Sequence, residues 1–81
     1  MTVTTLFFAS YRELAGVGEL EVDLPAGATV ADLISAVRAS RPGLASLPAE
    51  VAVAVNRQYS ALDQPLSDAD EVAFIPPVAG G

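Results

Sequence analysis

Glu19-Leu20-Glu21-Val22-Asp23-Leu24 alternates acid and aliphatic at every step. Pro25-Ala26-Gly27 follows, then Thr29-Val30-Ala31-Asp32-Leu33-Ile34-Ser35-Ala36-Val37-Arg38. Strict alternation sends successive side chains to opposite faces. Leu20, Val22 and Leu24 therefore face a core, and Glu19, Glu21 and Asp23 face water, as in a half-buried antiparallel strand. Pro25 and Gly27 end it. The spacing then becomes helical: Val30, Leu33, Ile34 and Val37 fall at i, i+3, i+4 and i+7 and stripe one face. Thr29 with Asp32 three residues on has the spacing of a capping box, and the acid sits near the positive end of the helix dipole. Arg38 and Arg41 lie near the other end, where cations are favoured, and Pro42-Gly43 stops the element. This is the one long helix predicted.

Upstream, Val3-Thr4-Thr5-Leu6-Phe7-Phe8 is β-branched and aromatic and reads as a first strand. Ser10 to Ala15 reads as a helical turn stopped by Gly16. Downstream, Leu44 to Pro48 is connection, and Val51-Ala52-Val53-Ala54-Val55 is a continuous apolar strand expected to be buried on both faces or nearly so. Asn56-Arg57-Gln58 reads as a turn, Leu62 to Leu66 as a loop and Ser67-Asp68-Ala69-Asp70 as an acidic turn. Glu71-Val72-Ala73-Phe74-Ile75 is the last strand. Pro76-Pro77 ends it, because proline cannot donate to a ladder. The order strand, strand, helix, strand, strand specifies an α+β domain over residues 1–75, with a mixed sheet and a helix across one face. An extended tail, residues 76–81, follows. This order is similar to the β-grasp, or ubiquitin-like, pattern, a resemblance that implies adjacent first and last strands in the middle of the sheet.

Composition narrows the function. At 81 residues the chain is one small domain that buries about 60% of its unfolded surface. With 52% hydrophobic residues and a mean hydropathy of +0.45 it is not a disordered chain. No apolar run is long enough to span a membrane, and the start lacks the basic and apolar regions of a signal peptide, so a cytoplasmic location is expected. The sequence has no Cys, His, Lys or Trp. It therefore lacks a thiol nucleophile, the commonest general base and the Schiff-base amine, and reads as a protein acted upon rather than acting. Ten acids against Arg12, Arg38, Arg41 and Arg57 give a net charge of −6. With no basic stripe, nucleic acid is not an expected partner. An acidic surface favours a basic partner, or serves solubility alone.

The chain closes on Pro76-Pro77-Val78-Ala79-Gly80-Gly81. Six extended residues reach roughly 20 Å beyond the sheet. The two prolines stiffen the base toward polyproline II, and two glycines, lacking Cβ, make a tip thin enough to thread a narrow channel. A free carboxylate is a poor electrophile and carries a group only after activation, typically as an acyl-adenylate. A sulfur nucleophile can then displace AMP and leave a thiocarboxylate. Nothing in this chain performs either step, so a partner must bring both.

The pieces Leu6-Phe7-Phe8-Ala9, Arg12-Glu13-Leu14-Ala15-Gly16, Ala54-Val55-Asn56 and above all the run from Pro65 to Gly81 resemble the ubiquitin-like sulfur carriers. That family includes the small subunit of molybdopterin synthase and the thiamine-pathway sulfur carrier. The resemblance covers essentially the whole chain, and Pro-Pro-Val-x-Gly-Gly favours the molybdopterin branch. Ala69 departs from the family, which usually has Gly between the two aspartates. A Gly there implies a positive-φ turn, so Ala69 is expected to need another turn type.

The resemblance implies a mechanism centred on Gly81. An adenylating, E1-like enzyme activates its carboxylate with ATP, a persulfide donor supplies sulfur, and the tail enters the large synthase subunit, where the sulfur attacks a cyclic pyranopterin. Pro76, Pro77, Val78, Ala79 and Gly80 would thread the partner. No cofactor or metal is expected on the chain itself. A docking surface follows if Leu6, Phe8, Val72 and Phe74 face the helix. Phe7 and Ile75 would then meet on the open face, joined by Tyr59; the alternative is a second small core under a loop.

Other patterns carry less. Asp68, Asp70 and Glu71 lack the spacing of a calcium loop, Ser10 and Ser67 have no base to activate them, and Ala26 to Thr29 lacks the phosphate-loop pattern. The missing lysines deny the chain an isopeptide acceptor for its own tail, although an Arg- and Ala-biased composition produces the same absence. Three readings compete with the leading one: a carrier for thiamine, cysteine or tRNA thiolation, a ubiquitin-like modifier of lysines, and a plain binding domain with an incidental Gly-Gly.

Overall fold

The computed structural model describes residues 1–77. The roles expected of Val78, Ala79, Gly80 and Gly81 lie outside the described residues. In chain order the elements are β1 (Thr2–Phe7), α1 (Ala9–Ala15), β2 (Glu19–Asp23), α2 (Val30–Ser40), a 3-10 helix (Pro42–Ser46), β3 (Ala52–Val55), β4 (Gln58–Ser60) and β5 (Glu71–Ile75). The strands form one sheet in the order β2-β1-β5-β3-β4. β1 and β5 run parallel at its centre, and the other pairs are antiparallel. The adjacency of first and last strands implied by the β-grasp resemblance is present.

Helix α2 forms as its sequence dictates. Thr29 Oγ1 accepts from the Asp32 backbone N–H at 3.4 Å, and Asp32 Oδ2 accepts from the Thr29 N–H at 2.8 Å, so the capping box closes in both directions. Val30, Leu33, Ile34 and Val37 are all buried. They share one core with Val3, Phe7, Val53, Val72 and Phe74 from the sheet. The Phe7 and Phe74 rings meet edge to face, with centroids 5.5 Å apart. Leu20 and Val22 of β2 are half-buried against the same core, with Glu19, Glu21 and Asp23 exposed.

The connection after α2 is not mere connection. Its 3-10 turn seats Leu44, and Leu47 just beyond it, among the most deeply buried side chains. It also fits tightly against α1: a Cβ added at Gly43 would stand inside the contact distance of the Leu14 carbonyl oxygen. Arg41 Nη1 donates to the Ala15 carbonyl at 3.2 Å, tying the end of α2 to the end of α1.

Three expectations are corrected. The first is the phase of β1: Val3, Thr5 and Phe7 face the core, whereas Leu6 is half-buried and Phe8 is exposed. One residue of phase moves every side chain to the other face, so Phe7 is a core residue. The second is β3, which is not buried on both faces. Val51 and Val53 are buried, but Ala52 is exposed and Ala54 only half-buried, because no layer covers the outer face. The third is the segment after β3, which holds a further strand. Asn56 and Arg57 form a two-residue hairpin loop, both with positive φ (49° and 73°), and Gln58–Ser60 returns as β4.

The acidic turn is structural. Asp68 Oδ1 accepts from the Thr2 N–H at 2.8 Å, and Asp70 accepts from the Ser67 N–H at 2.7 Å and from Asn56 Nδ2 at 2.9 Å. These bonds fasten the start of β1 and the β3–β4 hairpin to the start of β5. Ala69 has φ 69°, so the left-handed turn forms on alanine itself and no other turn type replaces it.

Candidate functional site

The tail leaves the sheet at its centre. β5 is hydrogen-bonded on both edges, to β1 and to β3, and runs directly into Pro76 and Pro77. The base of the tail is thereby fixed by two neighbouring strands up to Phe74 and by β3 alone at Ile75, which pairs with Ala52. Prolines at 76 and 77 add no donors and fix φ, so the direction set by β5 is carried outward.

The face of the sheet away from α2 surrounds this exit. Register places Glu19, Leu6, Ala73, Ala54 and Tyr59 in one row across all five strands. Toward the tail the next row holds Ile75 and Ala52, and continuing β1 by one residue sets Phe8 opposite Ile75. Phe8 is still extended (φ −125°, ψ 154°), so the alternation carries through it. Its ring is 48% exposed, Tyr59 is 78% exposed and Ile75 is half-buried. Of the three side chains expected on this face, the structure places Ile75 and Tyr59 there and Phe7, 2% exposed, in the core. Phe8 takes the position expected of Phe7, and Leu6 joins it. Sequence reasoning missed both because β1 has no polar–apolar alternation to set its phase.

Beside the exit, a groove of about 420 Å³ is lined by Tyr11, Val51, Tyr59, Ile75, Pro76 and Pro77. Apolar surface and prolines thus continue from the sheet onto the tail base. The strands contribute charge to the open face of one sign only: Glu19, Glu21 and Asp23 from the β2 edge and Glu71 from β5. Among the described residues no group of three or more Asp, Glu, His or Cys is placed to hold a metal ion.

A five-stranded mixed sheet with one face covered by a helix, one open face that mixes apolar side chains with acids, and first and last strands paired parallel at its centre is a ubiquitin-like β-grasp domain. The chain matches the ThiS family over residues 5–81 and belongs to that family. It is 40% identical over 83 residues to the molybdopterin synthase sulfur carrier subunit of Chlamydomonas reinhardtii, with 100% of both chains covered. It is 41% identical over 81 residues to that of Escherichia coli, covering 98% of this chain and 99% of the relative. Among solved structures, SAMP1 from Haloferax volcanii superposes with a TM-score of 0.90 at 31% identity, with both chains fully covered. One chain of a complex of subunits 1 and 2 of molybdopterin-converting factor from Helicobacter pylori matches with a TM-score of 0.70 at 26% identity, covering 100% of this chain and 100% of that one.

Proposed function

We propose that this chain is the sulfur-carrying subunit of a molybdopterin synthase. A partner enzyme resembling the ubiquitin-activating type joins the Gly81 carboxylate to AMP with release of pyrophosphate. The outer sulfur of a persulfide then attacks the acyl carbon and AMP leaves, giving an acyl disulfide. A thiol attacks the donor's sulfur and breaks the S–S bond, which leaves a terminal thiocarboxylate on Gly81 and a disulfide on the donor side. The tail enters a large subunit, where the sulfur attacks a carbon of a cyclic pyranopterin and water then cleaves the carbonyl–sulfur bond, returning the Gly81 carboxylate; two deliveries build the dithiolene. This chain contributes no catalytic side chain. It holds the tail by β5, stiffens it with Pro76 and Pro77, and gives it a tip without Cβ at Gly80 and Gly81. The carrying observation is the unbroken run from the doubly paired β5 into Pro76-Pro77 and on to the Gly-Gly end. Names of full-length relatives support the choice of pathway. Docking is assigned to Phe8, Leu6, Ile75 and Tyr59, with Phe7 reassigned to the core. No helix of the described residues is long and apolar enough to cross a membrane.

The test is intact mass after incubation with ATP, a sulfur donor and the cognate activating enzyme. The expected gain is one oxygen replaced by sulfur, abolished by deleting Gly81. Gly80→Val is expected to block entry into the narrow sites and remove the gain. An unchanged mass, with the activating enzyme shown competent on another carrier, overturns the reading. A second reading, protein modification, has one specific support in the match to SAMP1, which other solved structures describe as a small archaeal modifier protein. Conjugates on lysines of other proteins in a lysate are its signature.

A further inference from the structure

Resting on the carrier reading, we infer that this protein is a one-way acyl donor: its activated tail has no amine acceptor on itself or on a second copy. An acyl-adenylate is lost to a side reaction when an unprotonated amine attacks the acyl carbon. The C–N bond forms, AMP leaves with the electron pair of the broken acyl–phosphate bond, and the amine sheds a proton to solvent. The sequence contains no lysine, and its four cationic side chains are all arginine. A guanidinium stays protonated in proteins and does not attack.

The amine at Met1 is removed in two ways. It donates to the Leu24 carbonyl at 2.8 Å in a partly buried position, and the Leu24 N–H donates back to the Met1 carbonyl at 2.8 Å. It also lies at the wrong end of the sheet. β1 and β5 are parallel, with Thr4 beside Glu71 and Phe7 beside Phe74, so Met1 stands at the end where β5 begins. The tail departs from the end where β5 finishes. Seven residues of strand separate the two levels, about 23 Å. Six residues span at most about 22 Å, and the first two are prolines that follow β5 away from Met1. The fold and the composition together leave the activated end no amines but those of other molecules. Amide polymers linked tail to side chain, as lysine-bearing modifiers can form, are closed to it.

The experiment activates the full chain at high concentration with ATP and the activating enzyme, sulfur donor omitted, and reads intact mass. A parallel sample is trapped with hydroxylamine. The hydroxamate is expected in the trapped sample, with neither a hydroxylamine-stable dimer less one water nor a hydroxylamine-stable monomer less one water in the untrapped one. Glu50→Lys places an amine on an exposed residue at the rim of the tail-base groove and is expected to yield amide-linked dimer or cyclised monomer. Hydroxylamine-stable self-adducts in the wild type, amides through the Met1 amine, overturn the inference. So does a Glu50→Lys protein that gives hydroxamate and still no adduct, because missing amines would then not be the limit. Absence of hydroxamate from the wild type overturns the carrier reading instead, and the inference with it.

Discussion

Ala69 occupies a left-handed backbone position, φ 69°, where a side chain costs roughly 1–2 kcal/mol. The turn persists because its surroundings hold it: the Ala69 N–H donates to the Thr2 carbonyl at 2.8 Å, between two aspartates that each accept backbone N–H groups. Ala69→Gly is expected to stabilise the fold by about 0.5–1 kcal/mol, the strain relieved less the extra freedom of an unfolded glycine. A lower midpoint of chemical denaturation would contradict this. Thr5 poses the opposite case. It is fully buried, and its hydroxyl finds no partner among the described residues. Thr5→Val keeps the shape and removes the unpaired hydroxyl, so a gain of about 1 kcal/mol is expected. In a domain this size that is a rise of about 4–8 °C in Tm by calorimetry.

Among elements, α2 was the most legible, because three local signals agreed: a capping box, an apolar stripe and a proline stop. β5 was legible in its bounds and in its phase, with Val72 and Phe74 inward and Ile75 outward. β1 was legible as a strand, read over Val3 to Phe8 and found one residue earlier at Thr2–Phe7, but not in its phase. Its threonines at 2, 4 and 5 and its large apolar residues at 6, 7 and 8 satisfy either phase, and the parallel partner that decides between them is 66 or so residues away in the chain, as Thr2 and Asp68 show. β4 escaped notice because it is three residues long and its loop, Asn56-Arg57, carries Arg where Gly is usual. The 3-10 turn carried no periodic signal, yet its fit is tight. Gly43→Ala is expected to cost about 1–3 kcal/mol, since a Cβ there meets backbone at Leu14 that cannot swing aside. A two-state unfolding curve unchanged from the wild type would show that the two helices can separate at little cost.

For the whole molecule, the slip of β1 separates two adjacent phenylalanines by role. Phe7→Ala is expected to lose about 3–5 kcal/mol of stability through the cavity left beside Phe74. Phe8→Asp is expected to leave the melting temperature near the wild type and weaken capture by the large subunit, measured by titration calorimetry, at least tenfold if Phe8 is a docking anchor. Unchanged affinity would move the docking surface elsewhere. Of the candidate site, the open face with Ile75 and Tyr59 on it was legible, and so was the end of β5 at Pro76-Pro77, because prolines are local facts; residues 78–81 lie outside the described residues. Which side chains of β1 occupy the face depends on strand phase, which is not a local fact.

The parallel pairing of β1 with β5 has a mechanical side. A partner that swallows the tail pulls along the axis of a strand held on both edges. Such a load falls on the hydrogen bonds of β5 together, in shear, whereas a pull on an edge strand such as β4 would open its bonds one after another. On the proposed carrier reading the domain would serve as a handle, its central strand taking the load of a partner's pull on all its bonds at once.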